Sequence, residues 1–181
     1  MSEILLRQIV GSDFDLMPEA VRKMHSIEKD QDVYGTSRVM GGTNPIAWLV
    51  RIVAALPAPA HRAPIHIRFA KSPDSEEWNR LFGKSRFHTI MKKEGPHLAE
   101  HLVAFPVTFI YTVKADRKGF SLHLVKTRFL GIPLPRLLWP ELHARAGEWR
   151  GRYRFSTVVG FWFCGRVINY FGYLDGPSEL G

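Results

Sequence analysis

The feature that most constrains this chain is a change of hydrophobic period at Pro64. After it, every second residue is apolar. Ile65, Ile67 and Phe69 alternate with His66 and Arg68; Phe87, Thr89 and Met91 alternate with His88 and Lys92. Val107, Phe109, Tyr111 and Val113 alternate with Thr108, Ile110 and Thr112. A period of about 2 places alternate side chains on opposite faces of a strand. Asp116-Arg117-Lys118-Gly119 then reads as a turn, and Phe120 to Phe129 as the returning strand of a hairpin.

Before Pro64 the spacing is helical. Glu3 to Val10 supplies a turn or two, and Pro18 stands at a helix start with Val21, Met24 and His25 on one face. Asn44-Pro45 opens the clearest helix, with Ile46, Leu49, Val50 and Val53 as its apolar stripe and Pro57 ending it. Val33–Met40 between them reads as a strand closed by Gly41-Gly42, and PAPAHRAP at 57–64 as a short linker.

Residues 131–149, GIPLPRLLWPELHARAGEW, test this division. As one helix, the segment would place Pro140 in the interior, at about 3 kcal/mol or more. From Glu141 onward it alternates cleanly: Glu141, His143 and Arg145 on one face, Leu142, Ala144 and Ala146 on the other. The segment therefore reads as a proline-pinned loop or single turn feeding a hairpin, whose second strand carries Tyr153 and Phe155 opposite Arg152 and Arg154. A last strand falls near Arg166–Leu174. The fold class expected is α+β: a strongly curved antiparallel sheet, barrel or half-barrel, of about eight or nine strands, with two or three N-terminal helices. One domain over residues 1–181 is expected, with a helical N-terminal part at 1–57 and an antiparallel β part at 64–176.

Composition narrows the function classes. Twelve Phe and five Trp favour a β-rich interior. The single Cys164 excludes an internal disulfide, and with no signal-peptide pattern at the N-terminus it points to the cytoplasm. The longest strongly apolar run, Val158 to Cys164, is far short of the roughly 20 residues of a membrane-spanning helix. Net charge is +8, and ten Lys/Arg against three acids lie between Lys114 and Arg154, which reads first as a solvated outer face. Nucleic-acid binding would need aromatic and basic residues on one open face, whereas Arg152-Tyr153-Arg154-Phe155 puts them on opposite faces.

Several motifs in order carry a family resemblance: LLRQIVGSDFDLMPEAVRKMH, GTSRVMGGTNPIAWLVRIVAALPAP, EEWNRLFG followed by SRF, KKEGPHL, FLGIPLPRLLWP and RYRFSTVVGFWFCGRVINYFGYL. Together they resemble the domain of unknown function 4166 family over nearly the whole chain. The resemblance implies a stand-alone copy of a domain often found C-terminal to saccharopine-dehydrogenase-like or other Rossmann-type modules. No G-x-G-x-x-G following a strand marks such a module here. Two departures from the family pattern are AEHLVA, an insertion after EGPHL, and Cys164 where a proline is expected.

His97-Leu98-Ala99-Glu100-His101 matches H-x-x-E-H, but that zinc motif needs a helix. On a strand its histidines stand roughly 13 Å apart, too far for one ion. No metal and no cofactor are therefore expected. Arg80 and Glu94 are candidates for a cross-strand ion pair, or for binding an acidic ligand group and serving as acid or base. Phe161-Trp162-Phe163, with Arg150, Arg152 and Arg154, suits core, pocket or an anionic membrane surface. The function expected is binding of a small, largely apolar or amphipathic molecule inside the barrel. Trp78, Arg80, Tyr111, Arg128, Trp139 and Tyr170 are the candidate ligand contacts, with Gly131–Pro140 covering one mouth. One rival is a metal- and nucleotide-independent acid–base enzyme (isomerase, cyclase or dehydratase) using Glu94, His88 and His123. Another is an accessory domain docking on a separate oxidoreductase.

Overall fold

Alternation after Pro64 becomes strand after strand. A computed structural model describes residues 4–26 and 28–176. Helix α1 (Leu5–Val10), a 3-10 turn (Gly11–Leu16) and α2 (Glu19–His25) come first, then strand β1 (Gln31–Gly41) and helix α3 (Pro45–Val53). The strands β2 (Ala60–Ser72), β3 (Ser75–Phe82), β4 (Ser85–Glu94), β5 (His97–Leu102), β6 (Val107–Asp116) and β7 (Gly119–Phe129) follow without a helix between them. The two-residue β8 (Ile132–Pro133) and a 3-10 turn (Arg136–Leu138) lead to β9 (Glu141–Trp149), β10 (Arg152–Phe161) and β11 (Gly165–Leu174).

Ten strands close an antiparallel barrel in the order β1 to β7, then β9, β10 and β11, with β11 pairing back onto β1; β8 pairs only with β7, outside the ring. The expected α+β barrel holds, with more strands than the eight or nine read from the sequence. The additions are β3 and β5, whose inward positions include the charged residues Glu76, Arg80 and Glu100, so their apolar alternation is masked. Residues 57–64 also differ from the linker expected: β2 already begins at Ala60 and pairs with Val39 of β1. The N-terminal part is not separate from the sheet either, since β1 is the strand that closes the ring.

Closure draws backbones close at one seam. A Cβ on Gly35 would collide with the carbonyl oxygen of Tyr173, and one on Gly172 with that of Thr36. Glycine is what lets β1 and β11 cross so tightly.

The two ends of the barrel differ. One is plugged by α1, the 3-10 turn and α2: Phe14, Met17, Val21 and Met24 are all buried. Each such side chain contributes about 1.5–3 kcal/mol by leaving water. At the other end lie α3 and the segment 130–140. Asn44 caps α3, its side chain accepting a 2.8 Å bond from the Ile46 N–H, and Pro45 occupies the first turn, where it loses no hydrogen bond. Of α3 only Ala47 is fully buried.

Candidate functional site

The strand pleat turns one residue in two toward the barrel axis, and most of these are apolar. Ile65, Ile67, Phe82, Phe87, Leu98, Leu122, Phe155 and Ile168 belong to the wall of a cavity of about 490 Å³. Its half-exposed apolar lining residues, Leu49, Val53 and Leu138, all lie at the α3 end, so the mouth is there.

Within this wall sits one polar cluster. Arg80 of β3 donates to the Thr89 hydroxyl at 2.9 Å and faces Glu100 of β5 at 3.5 Å. The Tyr111 hydroxyl of β6 donates to the other Glu100 oxygen at 3.1 Å. The guanidinium also lies 4.7 Å from the Trp78 ring centre and 5.4 Å from that of Phe87. Opposite, Tyr170 of β11 hydrogen-bonds Thr157. His25 of α2 and Tyr153 of β10 meet at 3.1 Å beneath the helical plug. Thr127, fully buried on β7 and also in the wall, has no hydrogen-bond partner among the described residues for its hydroxyl.

Burial governs the protonation of these groups. Removal from water disfavours the charged form, so His25 is pushed down to about 3, with the nearby Arg80 charge acting the same way. Burial raises the Tyr111 hydroxyl well above its ordinary range, helped by Glu100, and raises Tyr153 and Tyr170 as well. At neutral pH the imidazole and all three phenols are therefore uncharged. At the plugged end Glu76 is raised by burial, against the pull of Lys71 at 3.3 Å.

Residues 17–174 match the family described as domain of unknown function (DUF4166). The chain belongs to that family. No curated protein matches it. The DUF4166 match begins at the plug and ends with β11, so it takes in every barrel strand.

Of the residues singled out from the DUF4166 sequence, Trp78, Arg80, Tyr111 and Tyr170 line the cavity. Arg128 and Trp139 are not part of its lining. Arg128 grips Glu94 through two bonds of 2.8 and 2.7 Å on the barrel's outer face, and this partner holds the Glu94 carboxyl below its ordinary value. The expected Arg80–Glu94 pair is thus replaced by two others, Arg80–Glu100 inside and Arg128–Glu94 outside. The Trp139 N–H donates to the Leu134 carbonyl at 2.8 Å, tying the 131–140 segment to itself, while Leu134, Leu138 and Pro140 supply the wall.

His88 and His123 also face outward. His88 lies 3.4 Å from Glu77, and exposed His123 is 3.0 Å from the Ser121 hydroxyl. None of Glu94, His88 and His123 reaches the cavity. The H-x-x-E-H stretch is strand β5, and alternation splits it: His97 and His101 bond Thr112 and Thr108 on the outer face, while Glu100 points inward. Glu100 and His25 join the site without having been candidate site residues in the sequence. The available signal was a charged residue between two inward apolar ones, Leu98-Ala99-Glu100-His101-Leu102, which repeats in Trp78-Asn79-Arg80-Leu81-Phe82.

Proposed function

We propose that the barrel binds a small, largely apolar molecule with one neutral polar end. The observation that carries this is the cavity's size together with its wall. Left dry and empty, about 490 Å³ would forfeit about 12 kcal/mol at roughly 24 cal/mol per Å³, comparable to the whole stability of a domain. Water is a poor filler, since each molecule needs about two to four polar partners and the wall, mostly apolar, offers few beyond the Arg80 cluster and the Thr127 hydroxyl. A guest of drug size fits the volume. Its polar end would meet Arg80, Glu100, Tyr111 and Tyr170, and its apolar body the Trp78 and Phe87 side. Because Glu100 offsets Arg80, a carboxylate gains little there; a hydroxyl or amide, which both donates and accepts, suits the cluster better.

The test is native mass spectrometry of protein purified from its source cells. A retained small molecule is expected, lost when Ala144→Trp fills the cavity while the circular-dichroism spectrum stays unchanged. Ligand-free protein that also fails to take up an apolar fluorescent probe would overturn the reading. The convergence of Tyr111, Glu100 and Arg80 favours one second reading, cofactor-independent acid–base chemistry on the same guest. Conversion of the extracted guest by the wild type, abolished in Glu100→Gln, is its distinguishing result.

A further inference from the structure

We infer that the cavity mouth is a docking surface for an anionic lipid bilayer. Twelve of the sixteen exposed large hydrophobic side chains among the described residues lie at this one end. Helix α3 leaves Ile46, Trp48, Leu49, Ile52 and Val53 each 46–55 % exposed. Leu130, Ile132 and Leu137 are 66–68 % exposed, and Trp162, tied by its N–H to the Leu137 carbonyl at 3.0 Å, is 64 % exposed. Scattered exposed apolar residues are ordinary; a contiguous set around one opening marks an interaction surface.

Charge identifies the occupant. The segments that build this end are 42–62, 82–86, 103–107, 129–140 and 160–166. They hold six cations, Arg51, Arg62, Lys84, Arg86, Arg136 and Arg166, and no Asp or Glu; the one acid at their edge is exposed Glu141, the first residue of β9, opposite Gly160. None of the six has an acidic partner among the described residues. The turns at the plugged end, by contrast, carry Asp13, Asp15, Glu19, Asp30, Asp74, Asp116 and Glu148. A rim of six cations against one acid, around protruding aliphatic and indole side chains, matches a negatively charged headgroup layer over hydrocarbon. Tryptophans such as Trp48 and Trp162 favour that boundary. Arg150, Arg152 and Arg154, grouped with Trp162 in the sequence reading, lie at the opposite end, around the β9–β10 turn. No helix among the described residues is long and apolar enough to cross a membrane, so the contact proposed is with the surface. A bilayer is also where an amphipathic guest resides, and docking would set the mouth against it.

The experiment is co-sedimentation with vesicles of phosphatidylcholine alone or mixed with phosphatidylglycerol. Binding is expected to the anionic vesicles only, and to fall with salt. Arg136→Gln with Arg166→Gln should weaken it about twenty-five-fold, at roughly fivefold per lost surface cation. Trp48→Ser with Ile52→Ser, two exposed positions, should abolish it without altering the fold. No pelleting with anionic vesicles, or equal pelleting with both, would overturn the inference. So would a wild-type dimer that Trp48→Ser/Ile52→Ser converts to monomer, since that assigns the face to a second copy. Ala144→Trp separates this inference from the guest reading: it should lose the guest and keep the vesicles.

Discussion

Removing one partner of the Arg80–Glu100 pair is the sharpest test of how dry the barrel interior is. At 3.5 Å and an effective dielectric near 20, their attraction is about 5 kcal/mol, set against several kcal/mol per ion for leaving water. Arg80→Met leaves Glu100 with the Tyr111 hydroxyl; Glu100→Leu leaves Arg80 with the Thr89 hydroxyl. Each single change should cost about 3–5 kcal/mol, because an unpaired buried charge remains. For a domain of this size, that lowers the melting temperature by roughly 6–20 °C. The double variant Arg80→Met/Glu100→Leu should recover to within about 1 kcal/mol of wild type, since two apolar side chains replace a neutralised pair. Urea denaturation of the four proteins measures the cycle. The double variant should also keep apolar probes while losing its preference for guests bearing a hydroxyl. Single variants costing under about 1 kcal/mol would show a well-hydrated pair. Water would then fill the cavity as readily as an apolar guest.

Three further outcomes follow from the same geometry. His25 titrates near 3 in the folded chain against 6.5 ordinarily, so the unfolded chain binds the extra proton first. Stability from this group is complete above pH 6.5 and drains as pH falls toward 3, by up to about 5 kcal/mol; His25→Phe should flatten that limb in denaturation measured against pH. Gly35→Ala should destabilise by about 1–3 kcal/mol or more, because its Cβ meets the Tyr173 carbonyl at the closing seam. Gly176→Ala, with open space around it, should melt like wild type. Trp139→Phe should lose about 1 kcal/mol with the bond to Leu134 yet retain the guest, as its ring is not part of the cavity wall.

Much of the architecture was legible because a strand has a fixed period. Leu142, Ala144 and Ala146 against Glu141, His143 and Arg145 gave the inner and outer faces of β9, and Pro140 placed the break before it. The same rule separated His97 and His101 from a zinc site. The candidate site was less legible. Arg80 and Glu94 are both polar residues in family-like motifs, and nothing in their spacing shows that one faces inward and the other outward. Strand β3 carries two charged residues on its inner face, so its pattern weakens where the cavity needs polar groups. Arg128 has the chemistry of a ligand contact, but the β6–β7 pairing and its bulge between Ile110 and Tyr111 put it on the outer wall.

Periodicity and punctuation in the sequence determined the kinds of element, their order and which face of most strands is buried, because these depend on neighbours two to four residues away. Ring closure, the meeting of Arg80, Glu100, Tyr111 and Tyr170 from four strands, and the gathering of cations and exposed apolar side chains around one mouth were decided by tertiary structure alone. Those contacts join residues 11 or more positions apart, and the tilt and coiling of a closed barrel set which of them come level.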